Sequence, residues 1–137
     1  MRGTTRTGGM LEAMVLPPLR AGGYDYRLQV KIGRRLEGGR HVVDAVASKD
    51  GRDVLVSLKW QQVPGTVEQK VPFEVICLLN AIEGGAASKA YLVLGGEGWS
   101  LRQFFVGGGL DRYILAANRV EIMTLEGFAF RAVRGEL

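Results

Sequence analysis

His41-Val42-Val43-Asp44-Ala45-Val46-Ala47-Ser48-Lys49-Asp50-Gly51-Arg52-Asp53-Val54-Leu55-Val56-Ser57-Leu58-Lys59-Trp60 is the stretch on which the reading of this chain turns. Two runs rich in Val, Ala and Leu flank Asp50-Gly51, and an Asp-Gly pair between β-rich runs is the strongest short-range hairpin signal. With Asp50 and Gly51 as the loop, Lys49 faces Arg52 and Asp44 faces Ser57. Directly opposed residues project from one face of a sheet, and so do residues two apart. Asp44 therefore shares a face with Ser57, Lys59 and Gln61. Val43, Ala45 and Ala47, with Val54, Val56, Leu58 and Trp60, form the opposite face and a credible core.

Outward from the hairpin, the pattern is that of a mixed α/β chain. Residues 24–32 alternate apolar and polar, which predicts a half-buried strand preceding a basic, glycine-rich turn at 33–40. Before it, residues 10–20 read as a short amphipathic helix stopped or bent at Pro17-Pro18, and residues 1–9 as a mobile basic arm. After the hairpin, Thr66 and Gln69 stand in capping-box positions for a helix running to about Ile82, with Pro72 requiring a later start or a kink. Residues 90–94 and 119–124 read as strands, and 100–106 and 110–117 as short helices; 125–134 fits either helix or strand. The expected architecture is a single-domain α/β fold, a mixed central sheet with helices on its faces.

Composition narrows the function classes. A chain of 137 residues suits one core. Lys and Arg number 18 against 14 Asp and Glu, a net charge of +4 that permits a polyanionic partner. A lone Cys77 and a lone His41 exclude a disulfide framework and a structural zinc. Cys77, in the apolar run 75–79, reads as a core thiol. No apolar run approaches the roughly 18 residues of a membrane span, and the first residues lack the apolar centre of a signal peptide. The expectation is a cytoplasmic protein without membrane contact. Gly95-Gly96 and Gly107-Gly108-Gly109 lack the lysine and helix context of a phosphate loop, so no nucleotide cofactor is expected.

The polar hairpin face carries a recognisable chemistry. A carboxylate such as Asp44 binds Mg²⁺, and a lysine beside it orients water or stabilises negative charge on a phosphate. One carboxylate seldom suffices, and the candidates for a second acid are Glu12, Glu68 and Glu74, with Glu68 favoured for its place at the helix start. The competing reading is an ordinary cross-strand ion pair on a solvated face.

Val43-Asp44 followed by Ser57-Leu58-Lys59 resembles the signature of the PD-(D/E)xK nucleases, an Asp followed one strand later by acid-x-Lys. The order of elements is similar too: a helix bearing an acid, the hairpin, a helix and a further strand. Arg6-Thr7-Gly8-Gly9-Met10-Leu11-Glu12, the short Asp44–Lys59 interval and the total length are most similar to the archaeal-type Holliday junction resolvases. The resemblance covers residues 2–95. It implies a restriction-endonuclease-like fold, Mg²⁺ with Mn²⁺ as a substitute, and a homodimer cutting four-way DNA junctions. The implied metal ligands are Asp44 with Glu12 or Glu68, with Lys59 acting on water and Ser57 and Gln61 holding water or phosphate. Arg2, Arg6, Lys31, Arg34, Arg35, Arg40 and Lys70 are the expected phosphate contacts. Ser57 departs from the pattern, standing where the family has a carboxylate. That substitution leaves two alternatives, a restriction- or repair-type nuclease on linear duplex and a non-catalytic DNA-binding relative.

Overall fold

A computed structural model describes residues 6–137. Five strands form one sheet in the order β1-β2-β3-β4-β5: β1 (Asp25–Arg34), β2 (Arg40–Lys49), β3 (Arg52–Trp60), β4 (Lys89–Gly95) and β5 (Val120–Thr124). β1, β2 and β3 pair antiparallel, whereas β3, β4 and β5 pair parallel. The expected mixed sheet is therefore present, with helices on both faces.

The hairpin has the register read from its loop: Lys49 pairs with Arg52, Ser48 with Asp53 and Ala45 with Val56. Asp50 and Gly51 both have positive φ, 54° and 76°, as a two-residue turn matching the strand twist requires. Beyond Ala45–Val56 the two strands part.

On one face lies the N-terminal helix, made of α1 (Arg6–Met10), a π-helical turn (Leu11–Val15) and α2 (Leu16–Ala21), packed beside α5 (Leu125–Val133). Leu11, Val15, Leu19 and Phe128 bury there against Ala45, Ala47, Val54, Val56, Leu58 and Val93. On the other face α3 (Val71–Glu83) sets Val71, Val75, Leu78 and Ile82 against Val46, Leu55, Leu92 and Ile122. α4 (Arg102–Val106) and short 3₁₀ turns complete this side on the way to β5. β4 is buried along most of its length, as expected of a parallel strand covered on both faces.

Several boundaries differ from the sequence expectation. The helix begins before Met10, so Arg6 to Gly9 are its first turn and not an arm; residues 1–5 lie outside the described residues. Pro17 and Pro18 do not stop it, because they follow directly on the π-helical turn, where the regular ladder of backbone hydrogen bonds is already interrupted. α3 starts at Val71 with Pro72 in its first turn, and Thr66 precedes a 3₁₀ turn (Val67–Lys70) without capping it through its side chain. Residues 110–117 form no α-helix: a 3₁₀ turn (Gly109–Arg112) is followed by turn and bend at 113–116 and a second 3₁₀ turn (Ala117–Arg119). The segment after β5 is a helix, capped by the Thr124 hydroxyl, which accepts from Gly127 N–H at 3.0 Å. Val43 joins the α3-side cluster instead of following Ala45, because strand alternation breaks at Asp44.

The turn supplies a stability test. Nothing lies within 4 Å of a Cβ built on Gly51, so Gly51→Ala is opposed by the left-handed backbone alone. The expected loss is about 1–2 kcal/mol, read as a lower urea midpoint at unchanged slope.

Candidate active site

Where β2 and β3 part, the carboxylate of Asp44 takes over the ladder. Its Oδ2 accepts the backbone N–H of Leu58 at 2.7 Å. On the other side β1 pairs Leu28 with Ala45 and Val30 with Val43. Gln29 stands between those pairs, opposite Asp44, with φ at 53°, and its side chain favours the charged form of the Asp44 carboxylate. A non-glycine residue in that conformation is sparsely populated, and such strain clusters at functional sites.

The second acid comes from α3. Val71, Val75, Leu78 and Ile82 mark the stripe of that helix turned to the sheet, and Glu74 falls on it, 6% exposed. Its carboxylate accepts from Arg35 at 3.2 Å and from the Ser57 hydroxyl at 3.4 Å. Lys59 Nζ lies 3.9 Å away and His41 Nε2 3.7 Å away. Arg35 reaches in from the β1–β2 turn, with its guanidinium 5.4 Å from the centre of the Phe73 ring.

Asp44, Ser57, Lys59, Lys70, Arg35 and Glu74 line one open cavity of about 310 Å³. The hairpin thus brings Asp44, Ser57 and Lys59 together as its register implied, and Glu74 is the acid that joins them. Glu68 does not line this cavity. Its carboxylate accepts the backbone N–H groups of Ser100 and Leu101, at 3.0 and 3.1 Å, and the Ser100 hydroxyl. It ties the start of α3 to the loop after β4, and those hydrogen bonds, the Ser100 hydroxyl foremost, hold its pKa below the usual range. Glu12 is exposed on the π turn and does not line the cavity either. Gln61 is buried and donates to the Gly98 carbonyl at 2.8 Å, closing the same loop instead of facing the acids.

The basic residues divide in the same way. Arg35 is occupied by Glu74 and Glu37. Arg34 donates to the Gly38 carbonyl within its own turn. Lys31 and Arg40 are exposed on the β1–β2 hairpin, and Lys70 is exposed at the cavity rim. Arg6 opens α1, and Arg2 lies outside the described residues.

Sequence reasoning missed two residues at the site and did not prefer a third. His41 entered only as a lone histidine that excludes a zinc site, yet it is 1% exposed beside Glu74. Its parity with buried Val43 was the available signal. Gln29 gave none, because its strand otherwise alternates regularly. Glu74 was named without preference, although an acid on an apolar helical stripe marks a buried carboxylate that needs partners.

The two carboxyls are pushed in opposite directions. Burial raises the pKa of Asp44, and the Glu74 charge adds to it, against the Leu58 N–H, Lys59 and Gln29. Burial also works to raise Glu74, but His41, Lys59 and Arg35 outweigh it and hold the carboxyl at about 2. A Mg²⁺ ion is bound through one or two carboxylates, with waters and substrate phosphates completing its shell. Two carboxylates on one cavity, one of them destabilised in its charged form, fit that requirement. Among the described residues no group of three or more His, Cys, Asp or Glu could hold a metal by itself.

These shifts set opposite pH dependences. Glu74 ionises more readily folded than unfolded, so its contribution, roughly 3 kcal/mol, is present above pH 4.5 and lost as pH falls toward about 2. Urea midpoints between pH 5 and 2 should fall less steeply in Glu74→Gln than in the unsubstituted chain. Asp44 holds its proton more tightly when folded, so its charge costs stability once pH exceeds about 3.8. Asp44→Asn should therefore raise Tm at pH 7, with the gap closing below that pH; a lower Tm at neutral pH would refute the assignment.

Comparison with known proteins bears on the family and the fold. No curated protein matches the sequence. A crystal structure titled protein of unknown function AF1548 is similar to this chain at a TM-score of 0.57 and 13% identity. The match covers 81% of this chain and 54% of that one, so the chain spans about half of that protein's length, and at this identity the likeness concerns the fold alone. A family profile described as a PD-(D/E)XK nuclease superfamily domain matches residues 3–134, extending past the resemblance at residues 2–95 to include β5 and α5. With the Asp44, Ser57-x-Lys59 and Glu74 arrangement on a mixed five-stranded sheet, the chain belongs to the PD-(D/E)XK nuclease superfamily.

Proposed function

We propose that the chain is a divalent-metal-dependent DNA endonuclease, with Mg²⁺ as its metal and Mn²⁺ as a substitute. The observation that carries this reading is the arrival of Glu74 beside Asp44, Ser57 and Lys59. It makes good the acid that Ser57 lacks and so favours a catalytic protein over a binding relative. Asp44 and Glu74 would hold the cation, which when bound supplies Lewis-acid polarisation of the scissile phosphate. Lys59 orients the attacking water and stabilises the negative charge that develops on phosphorus-bound oxygens. Ser57 keeps the Glu74 carboxylate turned toward the cavity, and Arg35 and His41 fix it from behind.

The substrate we infer is branched DNA, a four-way junction cut by a homodimer in the manner of a Holliday junction resolvase. Support comes from the exposed Lys70 at the cavity rim and the exposed Lys31 and Arg40 on the β1–β2 hairpin, since phosphate contacts of this kind follow backbone shape and not base sequence. Two-fold symmetry would provide one site for each of two strands. No helix among the described residues is long and apolar enough to cross a membrane.

The decisive experiment gives the purified chain and Mg²⁺ a labelled four-way junction and a linear duplex of the same sequence. Faster cutting of the junction is expected; equal cutting of both would sink the junction reading and leave a linear-duplex nuclease. Binding without cutting of either would favour the non-catalytic alternative. Asp44→Asn, Glu74→Gln and Lys59→Met should each lower the cleavage rate on the order of 10²-fold or more. Glu68→Gln should lower thermal stability more than rate. Full activity in Asp44→Asn would overturn the site.

A further inference from the structure

Three cavities meet at one side chain. Trp60 lines the cavity of Asp44 and Glu74, a second of about 510 Å³ formed with residues 61–65 and Val67, and a third of about 260 Å³. Alone among the residues lining these three, it borders all of them. The third cavity lies past the C-terminal ends of the parallel strands, bounded by Trp60 of β3, Leu94 of β4 and Thr124 of β5. That is the edge at which open α/β sheets bind their ligands.

Its lining has two characters. Met14, Leu94 and Leu125 are apolar, whereas Gln62, Glu97 and Arg102 carry hydrogen-bond donors and acceptors. The Trp60 ring is seated on strand β4, where a Cβ added at Gly95 would stand 2.5 Å from Trp60 Cε3. No residue but glycine leaves the ring that position. The indole Nε1–H is buried and has no acceptor among the described residues, a lapse that native structures rarely tolerate without a reason. At about 260 Å³ the cavity is just below the roughly 300–1,000 Å³ of drug-sized pockets. It suits one ring system with polar edges.

Its position relative to the acids matters more than its size. Lys59 and Trp60 are consecutive in β3, with Cα atoms about 3.8 Å apart, and consecutive strand residues point to opposite faces. Lys59 faces the paired acids, and Trp60, which borders that cavity too, also lines the third. A charged compartment and one of mixed apolar and polar lining thus share Trp60 as a wall at the end of a single strand. A nucleotide has the same layout, a phosphate joined through one sugar to a planar base.

We propose that the Trp60 cavity receives an unstacked nucleobase from the nucleotide beside the scissile phosphate, with Gln62, Glu97 and Arg102 meeting its polar edge. This rests on the nuclease reading and deepens it: the substrate is DNA with an unpaired or readily unpaired nucleotide at the cut. Extruding a base costs least where it is mismatched or already single-stranded, so the cavity turns a structural defect into selectivity. Aromatic stacking tolerates every base, so the preference is for unpairing and not for sequence.

The test uses the full chain and two forked duplexes that differ only in whether the nucleotide beside the cut bond is paired or mismatched. With Mg²⁺, the unsubstituted chain should cut the mismatched fork roughly tenfold faster, since extrusion is then cheaper. Trp60→Phe, and Gln62→Ala at an exposed position, should lower that ratio while the paired fork is still cut. With 5-iodouracil at the same nucleotide, photo-crosslinking to Asp44→Asn should label Trp60 or Met14. Cleavage with equal rates on both forks, or crosslinks confined to the β1–β2 hairpin and the Asp44 cavity, would overturn this inference and leave the nuclease reading standing. Failure to cut any DNA would overturn the nuclease reading, and this inference with it.

Discussion

The bond from Leu58 N–H to the Asp44 carboxylate is the constraint on which the rest of the site depends. A fully paired hairpin would have satisfied that N–H with a backbone carbonyl and turned Asp44 outward on a regular ladder. Here the strands separate after Ala45–Val56, and the donor of buried Leu58 would be left without a partner. A buried, unsatisfied donor costs about 1–3 kcal/mol, and a hydrogen bond to a charged group contributes about 1.5–3 kcal/mol. The carboxylate closes that gap, and in doing so it is fixed at the floor of a cavity. Gln29, held at positive φ on the opposite strand, completes the clamp.

Glu74 answers a different problem. A carboxylate on the apolar stripe of α3 cannot be left unpaired in the interior, and its partners come from three separate elements: Arg35 from the β1–β2 turn, His41 from β2, and Ser57 with Lys59 from β3. Each draws its element toward the head of α3. The result is an ionised acid beside a reluctant one, and environments that push two carboxyls apart in pKa are the arrangement from which active sites draw their division of labour.

Much of this was legible in the sequence because it is local. The Asp50-Gly51 loop sets the register, and the register places Asp44 with Ser57 and Lys59. The helical identity of Leu125–Val133 was not legible, since its short apolar pattern suits either period and the deciding feature is the Thr124 cap. Glu68 outranked Glu74 on position alone, at the polar start of a helix. The difference is tertiary: Ser100 and Leu101 arrive from the loop beyond β4 to claim Glu68, and no local pattern announces that. His41 did have a local signal, its parity with buried Val43, whereas Gln29 had none.

The division of the acids between a sheet and a helix has a consequence for the life of the chain. The hairpin is built from neighbours in sequence and can close in about 1–10 μs, whereas Glu74 joins Asp44 only when α3 has packed across the strands. A chain caught between those two events has its sheet motif in place and no second acid. In such a chain the cavity lined by Asp44, Ser57 and Lys59 lacks its buried carboxylate, so the site is complete only when the crossover through α3 is complete.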